Sequence, residues 1–169
     1  VKEIERKFLV RADLLPALTK EDTAKVKKVT QGYLSMVPPV VRVRLVSTSE
    51  PNDVPRAYMT VKSAGTLVRE EIETEILPRF GFELMKLCPV SLYKFRRDMG
   101  EGWVVDHIPA LDLWLAEIEL DHEMQQFRRP AWLGREVTES PEFTSLALAQ
   151  KLHQKLQGDG SVHERNART

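Results

Sequence analysis

The sequence predicts a mainly β domain with flanking helices, an eight-stranded antiparallel β-barrel closed around a charged lumen. Three observations carry that expectation. About eight short segments show the alternation of a strand. Turn residues separate them, and connections this short join antiparallel neighbours. On most of these segments the polar face is charged in a patterned way. Eight such strands can close into a barrel, which removes their exposed edges. A two-sheet sandwich is the other arrangement this strand count allows.

The elements follow in chain order. Residues 2–10 alternate and read as the first strand. Residues 12–18 suggest a short helical turn with Asp13 as its cap. Residues 25–36, 40–47, 56–63 and 66–77 read as four more strands. Their connections hold Pro38-Pro39, Glu50-Pro51-Asn52-Asp53 and Ser63-Ala64-Gly65. Residues 79–88 read as a short helix that Pro89 stops. Residues 90–98 and 102–108 form a hairpin through Gly100-Glu101-Gly102, and residues 113–124 the last strand. Residues 140–157 read as a helix, with Ser140 as N-cap, Pro141 at the first position and Phe143, Leu146, Ala147, Leu152 and Leu156 as one apolar stripe. One domain is expected over 1–157 and a polar, flexible tail over 158–169.

Composition narrows the class. The chain has 169 residues, 42% of them hydrophobic, within the usual single-domain range of ~100–200. Lys and Arg together number 25, as do Asp and Glu, so the net charge is zero. That argues against nucleic acid or an anionic membrane as partner. No apolar run approaches the ~18 residues of a membrane span. The opening Val1-Lys2-Glu3-Ile4-Glu5 holds no apolar signal core, and a cytoplasmic location is expected. The single Cys88 excludes an intrachain disulfide framework.

Residues i and i+2 of a strand share a face. By that rule Glu3, Glu5 and Lys7 share one face, Arg42 and Arg44 a second, Thr60 and Lys62 a third. Arg69, Glu71, Glu73 and Glu75 share the next, then Lys94 with Arg96, then Asp106, then Glu117 with Glu119. For any one strand the plain reading is a solvated face. Across seven strands it weakens, because Glu-x-Glu occurs at 3/5, 71/73 and 117/119. Like charges ~7 Å apart repel unless cations lie nearby. A wet lumen lined by both signs, with the apolar faces turned outward under the two helices, accounts for the pattern. Carboxylates are hard ligands for Mg²⁺ or Mn²⁺, and arginine forks and lysine charges match phosphate oxygens. A metal–polyphosphate ligand would use both sets. Mutual pairing of acids and bases, as a structural network, remains the alternative.

The ordered set resembles the CYTH superfamily, the triphosphate tunnel metalloenzymes, in its short bacterial form. The residues that carry the resemblance are Glu3-Ile4-Glu5-Arg6-Lys7, Gln31-Gly32-Tyr33-Leu34, Arg42-Val43-Arg44, Thr60-Val61-Lys62 and Arg69-Glu70-Glu71-Ile72-Glu73. Lys94-Phe95-Arg96, Asp106, Glu117-Ile118-Glu119 and Trp132 to Thr138 complete them. The resemblance implies an eight-stranded tunnel that binds a triphosphate with a divalent metal. It implies Glu3, Glu5, Asp106, Glu117 and Glu119 as ligands of Mg²⁺ or Mn²⁺. It implies Lys7, Arg42, Arg44, Lys62, Arg69, Lys94 and Arg96 as phosphate-binding bases. Glu5, Glu71, Glu73 and Lys94 are the catalytic candidates.

Some positions depart from the pattern: His107-Ile108-Pro109 after Asp106, Thr74 in place of an aromatic residue, and Phe143 in place of a tyrosine. The expected reaction is hydrolysis of inorganic tripolyphosphate to diphosphate and phosphate. Class IV adenylyl cyclase, thiamine triphosphatase and a non-catalytic binder are the competing readings. The His-Phe dipeptide of such cyclases is missing near the N-terminus. Trp114 and Trp132 are candidate aromatics for an organic group, with core or dimer packing the plainer role. The four histidines lack metal-ligand spacing, and Lys151 and Lys155 read as a solvated helix face. A homodimer through Trp114 and residues 111–115 is an expectation only.

Overall fold

The computed structural model describes the backbone of residues 2–65 and 67–166, and side chains as far as Gly158. The strands are β1 (Lys2–Val10), β2 (Lys27–Ser35), β3 (Val40–Ser47), β4 (Arg56–Lys62), β5 (Val68–Ile76), β6 (Val90–Gly100), β7 (Trp103–Ile108), β8 (Leu113–Glu119) and β9 (Leu133–Glu136). The helices are α1 (Lys20–Lys25), α2 (Pro78–Lys86) and α3 (Ser145–Asn166). All the pairings are antiparallel, and the order β5-β4-β3-β2-β6-β7-β8-β1 closes by β1 on β5. The fold is thus the closed barrel, and the sandwich is excluded.

Closure depends on β1 serving three neighbours. Its start pairs β5, from Lys2 with Glu70 to Ile4 with Val68. Its middle pairs β8, from Glu5 with Glu119 to Leu9 with Leu115. Where β5 has diverged, β9 takes over the free edge at Phe8 and Val10. Gly134 suits that place, since a Cβ there would lie 2.8 Å from the Leu9 carbonyl oxygen. An uncovered edge would otherwise invite pairing with another chain.

The outward face is apolar, as expected, but its cover differs. Only α2 lies flat on the barrel, over β2 to β4. Gly81 permits this approach, because a Cβ there would meet the Ala57 Cβ at 2.5 Å. Elsewhere residues 120–136 supply the cover. Phe8 and Trp103 pack edge-to-face at 5.5 Å, with Phe127, Trp132, Ile118 and Leu120 around them.

The expectation that the last helix also covers the outside is corrected here. Leu148 and Ala149 of α3 pack on Tyr33, Leu92, Ile108 and Leu115, which share the lumen-facing parity of the charged residues. α3 therefore fills part of one end of the barrel. The lumen runs from an apolar layer at that end to charged layers above it.

Several element boundaries also differ. A 3-10 turn at Ala12–Leu14 replaces the longer turn expected over 12–18. The short α1 follows it, set by a capping box in which Thr19 and Asp22 bond each other's backbone N–H groups. β8 ends at Glu119 rather than at residue 124. α3 runs from Ser145 to Asn166 rather than over 140–157: Pro141–Phe143 is a separate 3-10 turn, which the Ser140 side chain does not cap, and residues 167–169 of the expected tail lie outside the described residues. Among the described residues no helix is long and apolar enough to cross a membrane.

Candidate active site

The inward faces of β1 to β8 enclose a hollow of about 760 Å³. Glu3, Glu5 and Lys7 line it from β1, Tyr33 from β2, and Arg42 with Arg44 from β3. Lys62, Arg69, Glu71, Glu73, Lys94, Arg96, Glu117 and Glu119 complete the charged wall. Every residue expected in the site therefore lines this hollow, with one exception. Asp106 stands behind the wall, 2% exposed.

The two signs are interleaved. Lys7 pairs with Glu117 at 2.8 Å and Glu5 at 3.4 Å. Arg69 reaches Glu3 at 2.8 Å, and Lys62 pairs with Glu3 and Glu71. Arg42 donates to Glu73 at 3.1 Å and to Thr60 at 3.0 Å, and the Thr60 hydroxyl donates to Glu73 at 2.7 Å. Only Glu119, at the exposed rim, forms no ion pair among the described residues. The pairing alternative is thus realised in the ligand-free protein. It does not fill the barrel: the charges surround open volume, and Nε of Arg42 and Nε of Arg44 are buried with no acceptor. Unmade buried donors at a cavity wall mark a place for an anionic ligand or water.

The electrostatics sort the bases. Burial, and then the neighbouring Arg96, pull Lys94 down to about 8. Burial and then Arg42 draw Arg44 down to about 10. Lys7 moves the other way: burial opposes its charge, but Glu117 and Glu5 together raise it above the usual lysine range. Burial pushes Glu117 up, yet Lys7, Arg96 and Lys94 hold it well below the ordinary carboxylate range. Glu73 is also lowered: burial opposes its charge, and Thr60, Arg44 and Arg42 prevail.

Asp106 is a counter-ion for two bases. It accepts from Lys94 Nζ at 2.6 Å and from Arg96 Nε and an Arg96 terminal amine at 2.7 Å each. Lys94 is 3% exposed and Asp106 2%, so this pair is buried, while Arg96 reaches the open hollow. Asp106 aims Arg96 on toward Glu117.

Mg²⁺ or Mn²⁺ asks for hard oxygen donors, commonly one or two carboxylates completed by phosphate oxygens and water. Glu3, Glu5, Glu117 and Glu119 supply them from adjacent strands, with Glu5 opposite Glu119 in the β1–β8 register. Among the described residues no three Asp, Glu, His or Cys side chains converge on one point. The donor set therefore fits a cation brought in with, and partly liganded by, a polyphosphate.

Some lining residues have no role in the sequence reading. Thr60 holds Glu73, and Thr138 accepts the Lys7 N–H at 3.0 Å through its hydroxyl. Tyr33 accepts from the Gln31 amide at 2.9 Å and meets the start of α3. The i, i+2 rule flags Thr60 and Tyr33. Thr138 belongs to the Trp132–Thr138 segment and Leu146 to the apolar stripe of the last helix, but both reach the lumen by tertiary contact that no local pattern shows.

A closed barrel whose walls oppose phosphate-matching forks to carboxylates defines an enzyme-like site suited to a polyanion. Comparison with known proteins narrows this. No family model matches the chain. It is 35% identical over 159 residues to the inorganic triphosphatase of Acetivibrio thermocellus, an alignment spanning 88% of this chain and 94% of that one. It is 29% identical over 157 residues to the inorganic triphosphatase of Nitrosomonas europaea, spanning 87% and 96%. The fold also matches the crystal structure of the inorganic triphosphatase NE1496, with a TM-score of 0.53 and 28% identity over 88% of this chain and 95% of that one. The chain belongs to the inorganic triphosphatase family, within the CYTH superfamily.

Two predictions follow from this geometry. Asp106→Ala strands the buried Lys94 and leaves Arg96 with Glu117 alone, and is expected to cost about 3–5 kcal/mol of stability, measured by urea unfolding. A variant as stable as the parent would remove Asp106 from the counter-ion role. Lys94 bears on pH. Its folded value lies below the 10.5 of a free lysine, so the folded protein loses that charge as pH rises through about 8 while the unfolded chain keeps it. Stability then rises with pH between those values, while the grip on phosphate weakens. KM for the triphosphate should increase above pH 8, and Lys94→Arg should flatten that increase. A parent KM independent of pH up to 9.5 would contradict the assignment.

Proposed function

We propose that the chain hydrolyses inorganic tripolyphosphate to diphosphate and phosphate with Mg²⁺ or Mn²⁺. The observation that carries this reading is the hollow in which Arg42, Arg44, Lys94 and Arg96 face the carboxylates of β1 and β8. The names of its relatives point the same way.

Lys7, Arg42, Arg44 and Arg96 bind the phosphate oxygens and offset the charge that moves onto the leaving diphosphate. Lys62 and Arg69 hold the chain from the β4–β5 side. Lys94 adds a charge fixed by Asp106. Glu3, Glu5, Glu117 and Glu119 would hold the metal, which supplies positive charge for the phosphates and makes a bound water more acidic. Water adds to a terminal phosphorus while the bond from that phosphorus to the bridging oxygen breaks. Glu71 and Glu73 face this region. Because Glu73 is held below the ordinary carboxylate range, it orients the water better than it retains a proton. Glu71 is likewise lowered: burial opposes its charge, and a hydrogen bond with Glu3, then Lys62 and Arg42, prevail.

Binding requires an exchange of partners. Each base that takes a phosphate oxygen releases a carboxylate: Glu3, Glu5 and Glu117, once released, would hold the metal, and Glu71 and Glu73 would face the water. The ion pairs of the empty lumen hold both sets in place until then.

The test is a panel of tripolyphosphate, thiamine triphosphate, ATP and diphosphate, each with Mg²⁺ and with Mn²⁺. Phosphate, diphosphate and cyclic AMP are scored separately. Tripolyphosphate should give equal phosphate and diphosphate and the highest kcat/KM. Cyclic AMP from ATP would replace this reading with the cyclase. Glu5→Gln should lower kcat at least about 100-fold with unchanged circular dichroism.

A further inference from the structure

A second hollow, of about 450 Å³, lies on the outside of the barrel, where none of the chemistry above takes place. Residues 11–26 arch over the outer face of β6, β7 and β8, and Leu15, Leu18 and Val26 form the roof. The arch is tied down by Arg97, whose guanidinium donates to the Pro16 carbonyl at 2.7 Å. The floor is a row of three rings on adjacent strands. Phe95 lies opposite His107, and His107 opposite Trp114. The His107 ring is nearly parallel to Trp114, with centroids 4.0 Å apart and planes at 10°, and Phe95 stacks at 6.4 Å and 24°. Stacked on one another along the sheet, the three rings turn their edges to the hollow, where an aromatic guest can meet them edge-to-face.

The charge is one-sided. Lys28 and Arg97 line the hollow, and among the described residues no acidic side chain does. Asp22 lies near Arg97 but outside the lining. Small-molecule sites are concave, mostly apolar, a few hundred Å³ in volume, and carry a few placed polar groups. This hollow meets each condition. It is independent of the lumen because β6 and β7 separate the two. Lys94, Arg96 and Asp106 point inward, and their neighbours Phe95, Arg97 and His107 point outward.

We propose that this hollow is a second binding site, for a small aromatic anion: a flat apolar body on the Phe95–His107–Trp114 row with one carboxylate or sulfonate at Lys28 and Arg97. A half-buried stack of this kind can also be covered by a second copy of the chain, and the test separates the two.

The full chain is titrated with 1-anilinonaphthalene-8-sulfonate and, separately, with uncharged N-phenyl-1-naphthylamine, by fluorescence. The sulfonate should bind one per chain and about tenfold more tightly than the uncharged probe, the worth of one charge-assisted hydrogen bond. Lys28→Gln should weaken the sulfonate and leave the uncharged probe unaffected, and Arg97→Gln, which also unties the arch from the Pro16 carbonyl, should weaken both. Ser49→Trp, at the exposed rim, should block both. Millimolar tripolyphosphate in EDTA should displace neither, and the variants should keep the parent's triphosphatase rate. Displacement by tripolyphosphate would place the probe in the lumen and overturn the proposal. So would equal affinity for the two probes, indifference to all three variants, or no binding. Loss of binding as sedimentation shows the chain dimerising would assign the face to a second copy instead.

Discussion

The lumen depends on mutual neutralisation. Seven strands bring acids and bases into one enclosure, where a lone charge would cost several kcal/mol of desolvation. Lys94 with Asp106, Lys7 with Glu117 and Arg42 with Glu73 make that enclosure tolerable. The same pairs keep it hollow. Long side chains tethered in opposite directions across a wall cannot collapse into the middle, and the hydrocarbon that would fill a barrel of this size is turned outward. The barrel is therefore inverted relative to a small barrel filled by side chains. Its core lies outside the sheet, under α2 and residues 120–136, and only one end of the lumen, at Tyr33, Leu92, Leu115 and α3, is packed with apolar groups.

That arrangement links architecture to specificity. A neutral ligand gains nothing from a wall that is already compensated. An anion alone displaces the glutamates and leaves them unpaired, and a cation alone does the same to the bases. A metal–polyphosphate complex replaces both sets of partners at once. Arg42 and Arg44, whose Nε donors already lack acceptors, have least to lose and most to gain from it. The lowered value of Arg44 has the same origin, two like charges side by side behind a surface with little water.

The sequence made the parity of the lumen legible and left its depth unread. Glu3, Glu5 and Lys7 must share a face because a strand repeats every two residues. That rule alone placed the wall residues correctly. It also put Asp106 on the inward face, and could not show that Lys94 and Arg96 of the neighbouring strand would close over it. Depth within a wall is decided by side chains from other strands. β9 went unread for a related reason: Leu133-Gly134-Arg135-Glu136 has little strand character, and it forms where β5 leaves the β1 edge open. α1 has no apolar stripe and follows from Thr19 and Asp22 alone. The place of α3 could not be read from its stripe, because an apolar face fits the outside of a barrel as well as its end.

Diffraction at the manganese edge, from crystals of Glu5→Gln soaked with Mn²⁺ and tripolyphosphate, tests the central claim most directly. The account expects the phosphate chain inside the barrel on Arg42, Arg44 and Arg96. It also expects manganese between that chain and Glu3, Glu117 or Glu119, with the Lys7–Glu117 pair opened. Phosphate and manganese found only on the outer surface, over an undisturbed set of lumen ion pairs, would contradict it.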